Sequence, residues 1–142
     1  MRGGSRRERP RCFYDTNVLA AYMLAEEDRL EKAEKAIRSC GERGVSILAI
    51  HELAYIVLRR RLEEKLGEAL LLVERVFRVH ELSREAALLA ARLRVEHGLP
   101  EVDALVVATA VVEGYEVFYT FDRDFEKLND VVLDGTRVVY LG

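Results

Sequence analysis

The sequence lacks the long apolar segment that a membrane-spanning helix requires. No apolar run approaches the ~18 residues of such a span, and no signal-peptide pattern is visible. We therefore expect a cytoplasmic protein that has no membrane attachment.

Signature patterns of several other protein classes are also missing. No GxGxxG follows the first predicted strand, which argues against a dinucleotide site, and no GxxxxGK[ST] indicates a P-loop. Cys12 and Cys40 form no CxxC pair, so zinc and redox chemistry are not expected. We expect two buried, idle thiols, with a structural disulfide as the alternative. The three histidines are scattered and suggest no catalytic histidine pair.

Charge is distributed unevenly along the 142 residues. Residues 1–11 contain five Arg and one Glu, or +4, so the net charge of −3 leaves −7 for the remainder. A domain with a net charge of −7 does not offer a general nucleic-acid-binding surface. To bind a polyanionic substrate it would need metal ions or local Arg clusters that offset the repulsion. We interpret residues 1–10 as an Arg-rich extension, either a disordered, frayed terminus or a tail that touches phosphate, and residues 11–142 as one domain.

Predicted strands alternate with predicted helices along the chain. Strands are expected over residues 11–14, 45–48, 79–82, 116–120 and 137–141, and helices over 26–43, 49–64, 66–77, 83–97 and 100–113. Gly41 and Gly44 are expected to end the helix over 26–43. The alternation predicts βαβ units and a three-layer α/β/α, Rossmann-like fold with a mostly parallel central sheet.

Asp15 follows the first predicted strand and precedes an apolar helical run that begins at Val18. Its carboxylate should therefore lie at the carboxyl end of a strand, where open α/β sheets bind ligands. Thr16 and Asn17 can hydrogen-bond to backbone or to a neighbouring carboxylate there. The alternative is that these residues only cap the helix.

Two further acids begin predicted helices. Glu52 stands in the first turn of the helix after the second strand, where the helix dipole alone would favour an acid. Asp103 lies at the start of an almost wholly apolar helix, in which only Asp103 and Thr109 are polar between residues 102 and 112. A helix that is apolar on all sides is buried, so this carboxylate must be paired, protonated, bound to metal or used as a cap.

Two more acids follow the strand that ends at Thr120. Asp122 and Asp124 stand in the sequence Thr-Phe-Asp-Arg-Asp-Phe, and residues of this kind are often simply turn residues. Taken together, Asp15, Glu52, Asp103 and Asp122 should project from one edge of a parallel sheet. Such carboxylates repel unless cations hold them, and an all-oxygen ligand set suits Mg²⁺ or Mn²⁺. That arrangement is typical of phosphodiester hydrolysis.

These motifs, in this order, resemble the PIN-domain family, and size and motif order are similar to the small prokaryotic VapC-type toxins. The resemblance spans about residues 11–141. It implies a magnesium-dependent endoribonuclease that cleaves RNA, is usually dimeric, and is paired with a small antitoxin that inserts a segment into the active-site groove. The metal-binding acids it implies are Asp15, Glu52, Asp103 and Asp122. Asn17 and Thr120 would orient them, and Asp124 is an alternative fourth acid.

Other functions remain open from the sequence. The chain could be a PIN-like module that binds RNA or protein without cleaving, or an RNA-processing nuclease without an antitoxin. A receiver-like domain is not favoured, because residues 79–83 lack the required Asp. Several apolar helical residues exceed the needs of a small core and indicate a dimer or partner surface; they are Tyr22, Met23, Ile56 and residues 70–73.

Overall fold

The computed structural model of the protein describes residues 9–142, so most of the predicted Arg-rich extension lies outside the described residues. Six strands are present: β1 (Arg11–Tyr14), β2 (Glu42–Ser46), β3 (Arg78–His80), β4 (Val117–Thr120), β5 (Val132–Leu133) and β6 (Thr136–Tyr140). The α-helices are α1 (Thr16–Met23), α2 (Leu30–Arg38), α3 (Ile47–Arg59), α4 (Leu66–Val76), α5 (Arg84–His97) and α6 (Glu101–Val112). Short 3₁₀ turns occupy Glu63–Lys65 and Arg123–Leu128. Among these helices none is long and apolar enough to cross a membrane.

The strands form one sheet in the order β3-β2-β1-β4-β6-β5. Strands β1, β2, β3, β4 and β6 are parallel, and β5 alone pairs antiparallel, with β6. The predicted α/β class with a mostly parallel sheet is therefore confirmed. The β5–β6 hairpin was not predicted; its tight turn contains Asp134 and Gly135, both at positive φ.

Helices cover both faces of the sheet and form a separate hydrophobic core on each face. Alternating side chains along β1 point into one core or the other. Cys12 and Tyr14 pack into one core with α1, α2, α3 and α4, whereas Phe13 packs into the other with α5 and α6. All three residues are fully buried. This double coverage explains why the central strands read as continuous apolar runs in the sequence.

The predicted helix over residues 26–43 is wrong at both ends, because α2 begins at Leu30 and ends at Arg38. Strand β2 then begins at Glu42. Gly44 does not end a helix; it lies within β2, under the ring of Tyr115. A Cβ built at Gly44 would lie 2.4 Å from that ring, so only glycine fits there. The strand is therefore shifted toward the amino terminus, and α3 begins at Ile47, with the Ser46 side chain accepting the Leu48 amide.

The expectation of two idle thiols is also wrong. Cys12 in β1 and Cys40 after α2 form a disulfide; their Cα atoms are 6.0 Å apart, and the two residues are separated by 28 positions in sequence. Both residues are fully buried in the core beside α2. The bond ties the segment before β2 to the central strand of the sheet.

Candidate metal centre

Asp15 follows β1 directly and is the N-cap residue of α1. Its Oδ1 accepts the Thr16 amide at 2.9 Å, and its Oδ2 accepts the Thr120 hydroxyl at 2.8 Å. The side chain is only 5% exposed. Asp15 therefore does cap α1, as the alternative interpretation proposed. The cap uses only Oδ1, whereas Oδ2 is bonded to Thr120 at the end of β4.

Asp103 is the third residue of α6, after Pro100 as the N-cap residue, so it is not the cap of this helix. The following residues, from Ala104 to Ala110, are buried except for the half-buried Leu105. Asp103 is itself half-buried. The helix thus carries two acids in its first turn, the exposed Glu101 and the half-buried Asp103, where the helix dipole favours a negative charge.

Asp122 lies two residues beyond β4. Its Oδ1 accepts the Asp124 amide at 2.9 Å, and its own amide donates to the Thr120 hydroxyl oxygen at 2.9 Å. Asp122 is half-buried, whereas Asp124 is exposed. The alternative that Asp122 is a turn residue is therefore also correct in part, because its side chain caps the 3₁₀ turn that follows.

The structure brings three of the predicted acids together. Asp15, Asp103 and Asp122 each offer one carboxylate oxygen, and these three atoms all lie within 4.8 Å of one another. They come from the ends of β1 and β4 and from the start of α6. Asp124 is not part of this group, in keeping with the preference for Asp122.

Glu52 stands apart from the three converging carboxylates but is linked to them through Thr16. The Thr16 hydroxyl donates to Glu52 Oε1 at 2.6 Å, and Glu52 is half-buried. Because α3 begins at Ile47, Glu52 lies in the second turn of the helix and not, as predicted, in the first. The helix dipole is therefore a weaker explanation for its presence.

Burial and mutual repulsion raise the pKa of two of the carboxyl groups. The pKa of Asp15 rises to about 6, chiefly because it is buried; hydrogen bonds from Thr120 and Thr16 oppose the rise, and the charges of Glu52 and Asp122 add to it. The pKa of Asp103 rises to about 8, first through burial and then through the charges of the neighbouring aspartates. The cluster is thus poorly compensated by the protein's own groups.

Asn17 fixes the backbone between β4 and the 3₁₀ turn. Its side-chain oxygen accepts the Phe121 amide at 3.0 Å, and the Asp15 amide donates to the Tyr119 carbonyl at 3.0 Å. These bonds join the start of α1 to the end of β4. The sequence predicted Thr16, Asn17 and Thr120 as supporting residues, with Thr16 able to bond to a neighbouring carboxylate; it did not specify that this carboxylate is that of Glu52.

The donor set fits a hard divalent cation. Within residues 9–142, the group of converging ligand atoms consists of three carboxylate oxygens and includes no His or Cys. A cation would offset both the burial of charge and the mutual repulsion that raise the pKa of Asp103 and Asp15. Residues suited to hold Mg²⁺ or Mn²⁺ are Asp15, Asp103 and Asp122, with Glu52 at the border of the group.

Comparison with known proteins assigns the chain to a family. The profile described as PIN domain matches residues 12–131, which is most of the chain. The chain belongs to the PIN-domain family, as the sequence resemblance indicated.

Solved structures that include a toxin–antitoxin complex and a VapC toxin share the fold. A toxin–antitoxin complex from Klebsiella pneumoniae has a TM-score of 0.67 and 24% identity, covering 88% of this chain and 94% of that one. The sarcin–ricin-loop-cleaving toxin VapC20 of Mycobacterium tuberculosis has a TM-score of 0.68 and 24% identity, covering 87% and 97%. A Pyrobaculum aerophilum protein has a TM-score of 0.57 and 22% identity, covering 81% and 76%. At these identities the likeness concerns the fold. No curated protein gives a significant match.

Proposed function

We propose that this protein is a divalent-metal-dependent endoribonuclease that acts as the toxin of a toxin–antitoxin pair. The observation that carries the proposal is the convergence of Asp15, Asp103 and Asp122, whose oxygen atoms lie within 4.8 Å of one another at the carboxyl edge of the sheet. Membership of the PIN-domain family and the likeness of the fold to VapC-type toxins support the same conclusion.

The residues of the centre have distinct tasks under this proposal. Bound Mg²⁺ or Mn²⁺ would supply Lewis-acid chemistry for phosphodiester hydrolysis and offset the charge of the carboxylates. Thr120 holds Asp15 in one orientation, since its hydroxyl donates to Oδ2. Asn17 keeps the segment that carries Asp122 beside the start of α1. Thr16 holds Glu52 at the border of the group.

RNA cleavage and metal binding can be tested together. Purified protein should cleave single-stranded RNA with Mg²⁺ or Mn²⁺ and stop in EDTA, and Asp15→Asn should abolish both cleavage and the heat of Mn²⁺ binding in calorimetry. Asp134→Asn is the matched control, because it makes the same chemical change at an exposed turn residue. Cleavage that persists in EDTA, or in Asp15→Asn, would contradict the proposal.

An antitoxin is the partner that we infer for this site. Similar structures are a toxin–antitoxin complex from Klebsiella pneumoniae and DNA-bound VapBC from Salmonella typhimurium. Expression of the protein alone should arrest bacterial growth, and co-expression of a small protein encoded beside its gene should relieve the arrest. An RNA-processing nuclease would cleave without arresting growth, and a binding module would bind RNA without cleaving it.

We further infer a homodimer, based on an exposed apolar surface on α3 and α4. Leu71 is 56% exposed and Tyr55 56%, and Leu58 and Leu72 are also exposed. Of the residues predicted for such a surface, Leu71 and Leu72 are exposed, whereas Val73 is fully buried. Light scattering should give the mass of a dimer, and Leu71→Glu should shift it to that of a monomer.

A further inference from the structure

A surface cleft of about 560 Å³ lies between α2 and the strands β4 and β6, on the face of the sheet where Tyr119 packs against Tyr14. Helix α2 forms one wall, and the carboxyl ends of β4 and β6 form the other. Its principal lining residues are Lys32, Lys35, Ser39, Tyr119, Tyr140 and Leu141. We refer to it as the lysine cleft. Its size is within the range of sites that hold small ligands.

The two lysines give the lysine cleft a positive charge on an otherwise acidic protein. Lys32 Nζ donates to the Leu141 carbonyl at 2.9 Å, which holds it at the rim and leaves further hydrogens to donate. Among residues 9–142 no ion pair includes Lys32 or Lys35. Glu31 stands four residues before Lys35, on the same side of α2, but the two side chains form no ion pair; Glu34 directly precedes Lys35 and points about 100° away from it.

Backbone hydrogen bonds connect the lysine cleft directly to the metal centre. The carbonyl of Tyr119, a lining residue, accepts the Asp15 amide at 3.0 Å, and the Leu141 amide donates to the Thr120 carbonyl at 2.8 Å. The backbone of two lining residues is thus bonded to Asp15 and to Thr120, which belong to the metal centre and its support.

A row of cations on α2 extends toward the metal centre. Arg29 stands just before α2, and its guanidinium lies 4.9 Å from the centre of the Phe121 ring, next to Asp122 in the chain. Lys32 and Lys35 follow at intervals of three residues, which places the three cations along one side of the helix. Successive phosphates of an extended strand could meet these cations in turn.

Aromatic side chains complete the lysine cleft. The ring of Tyr119 stacks on that of Tyr14, with centroids 5.6 Å apart and planes inclined by 13°, so its position is fixed by the core. Tyr140 lines the same space from β6. Lysines that meet phosphates and aromatic rings that stack with bases are the usual components of single-strand recognition.

We propose that the lysine cleft binds a nucleotide of the single-stranded RNA substrate that flanks the bond to be cut, with Lys32 and Lys35 at phosphate and Tyr140 against a base. This inference rests on the proposed function. An acidic protein segment would also be attracted by the lysines, but it would make no use of the tyrosine rings. The combination of the two residue types favours RNA.

Binding can be measured separately from cleavage. The probe is an oligouridylate labelled at its 5′ end, and its anisotropy is followed in EDTA over a range of salt concentrations. Lys35→Gln should lower the slope of log K against log salt by about 0.7, the share of one phosphate contact on a single strand. Tyr140→Leu should weaken binding about tenfold through lost stacking. Lys65→Gln is the matched control, since Lys65 is exposed on the connection between α3 and α4.

Each other outcome overturns the inference. If Lys35→Gln and Lys65→Gln have equal effects, the lysines contribute only general charge. If Lys35→Gln abolishes binding of a polyglutamate peptide and leaves RNA binding intact, the lysine cleft serves an acidic protein segment. In both cases, cleavage of RNA by the wild-type protein with Mg²⁺ would leave the proposed function standing. A wild-type protein that neither binds nor cleaves RNA would contradict both the proposed function and the inference about the lysine cleft.

Discussion

Thr120 donates its hydroxyl hydrogen to Asp15 Oδ2 across 2.8 Å, although the two residues are 105 positions apart in the chain. Both side chains are buried, and the same hydroxyl oxygen accepts the Asp122 amide at 2.9 Å. One side chain therefore holds one carboxylate and positions the backbone that carries another. Such supporting contacts determine the orientation of metal-binding groups.

Replacement of Thr120 should weaken the centre without removing a carboxylate. Thr120→Val deletes the hydroxyl and leaves a buried Asp15 oxygen and the Asp122 amide without their partner. We expect a loss of about 1–3 kcal/mol in the free energy of unfolding and a 10–100-fold loss in Mn²⁺ affinity. Thr120→Ser keeps the hydroxyl and serves as the control. Equal Mn²⁺ affinities for the two variants in calorimetry would show that the hydroxyl does not orient Asp15.

Asp103→Asn should separate stability from function. The change removes a charge that burial and neighbouring aspartates disfavour, so without metal the variant should be as stable as the wild type or more so. It should also lose Mn²⁺ binding and RNA cleavage. Thermal melting in EDTA and calorimetry check the two parts. A variant that melts several degrees lower and still cleaves RNA would make Asp103 a structural residue.

The stability of the protein in EDTA should fall as the pH rises. The pKa values of Asp15, about 6, and Asp103, about 8, lie above the ordinary value for aspartate, so the folded state holds protons that the unfolded state has released. The associated stabilisation is fully present below the unfolded pKa and is lost as the pH passes through 6 and then 8. Between about pH 5 and 8 the melting temperature should decrease.

Two controls accompany the pH experiment. Saturating Mg²⁺ should flatten the profile because it compensates the carboxylate charge, and Asp103→Asn should remove the part of the decline at the higher pH. A melting temperature in EDTA that stays constant across this range would contradict the raised pKa values.

Loss of the Cys12–Cys40 bond should destabilise the protein through the unfolded state. The bond closes a loop of 28 positions, for which chain entropy gives a contribution of about 3–4 kcal/mol. Urea denaturation of Cys40→Ala should therefore show a lower midpoint, and addition of a reductant should lower the wild-type midpoint toward it. Identical midpoints for wild type and Cys40→Ala in oxidising buffer would show that the bond contributes nothing.

The order of strands and helices was predictable because local signals agree with the tertiary fold. The helix predicted over residues 83–97 is α5; Ser83 accepts the Ala86 amide at its start, and Gly98 follows it at φ +66°. The location of Asp15 and Asp122 beyond β1 and β4 followed from the end of each apolar run. Because β1 and β4 are parallel neighbours, these two ends meet at one edge.

Features that depend on long-range contacts could not be predicted in the same way. Gly44 reads as a helix terminator until the ring of Tyr115 is known to lie against it. The pairing of Cys12 with Cys40 depends on where α2 packs, which no spacing reveals. Arg29, Lys32 and Lys35 are regularly spaced in the sequence, but the spacing alone does not indicate a binding site. The lysine cleft becomes apparent only because α2 packs beside the ends of β4 and β6.

The ends of the RNA products test the proposed function most directly. The converging carboxylates support hydrolysis by water with Mg²⁺ or Mn²⁺, which needs no 2′-hydroxyl nucleophile, and the sequence contains no paired histidines for the alternative route. Mass spectrometry of a cleaved single-stranded RNA should find a 5′-phosphate and a 3′-hydroxyl, formed with Mg²⁺ or Mn²⁺ and poorly with Ca²⁺, whose looser coordination positions groups less well. A 2′,3′-cyclic phosphate formed in EDTA would contradict it.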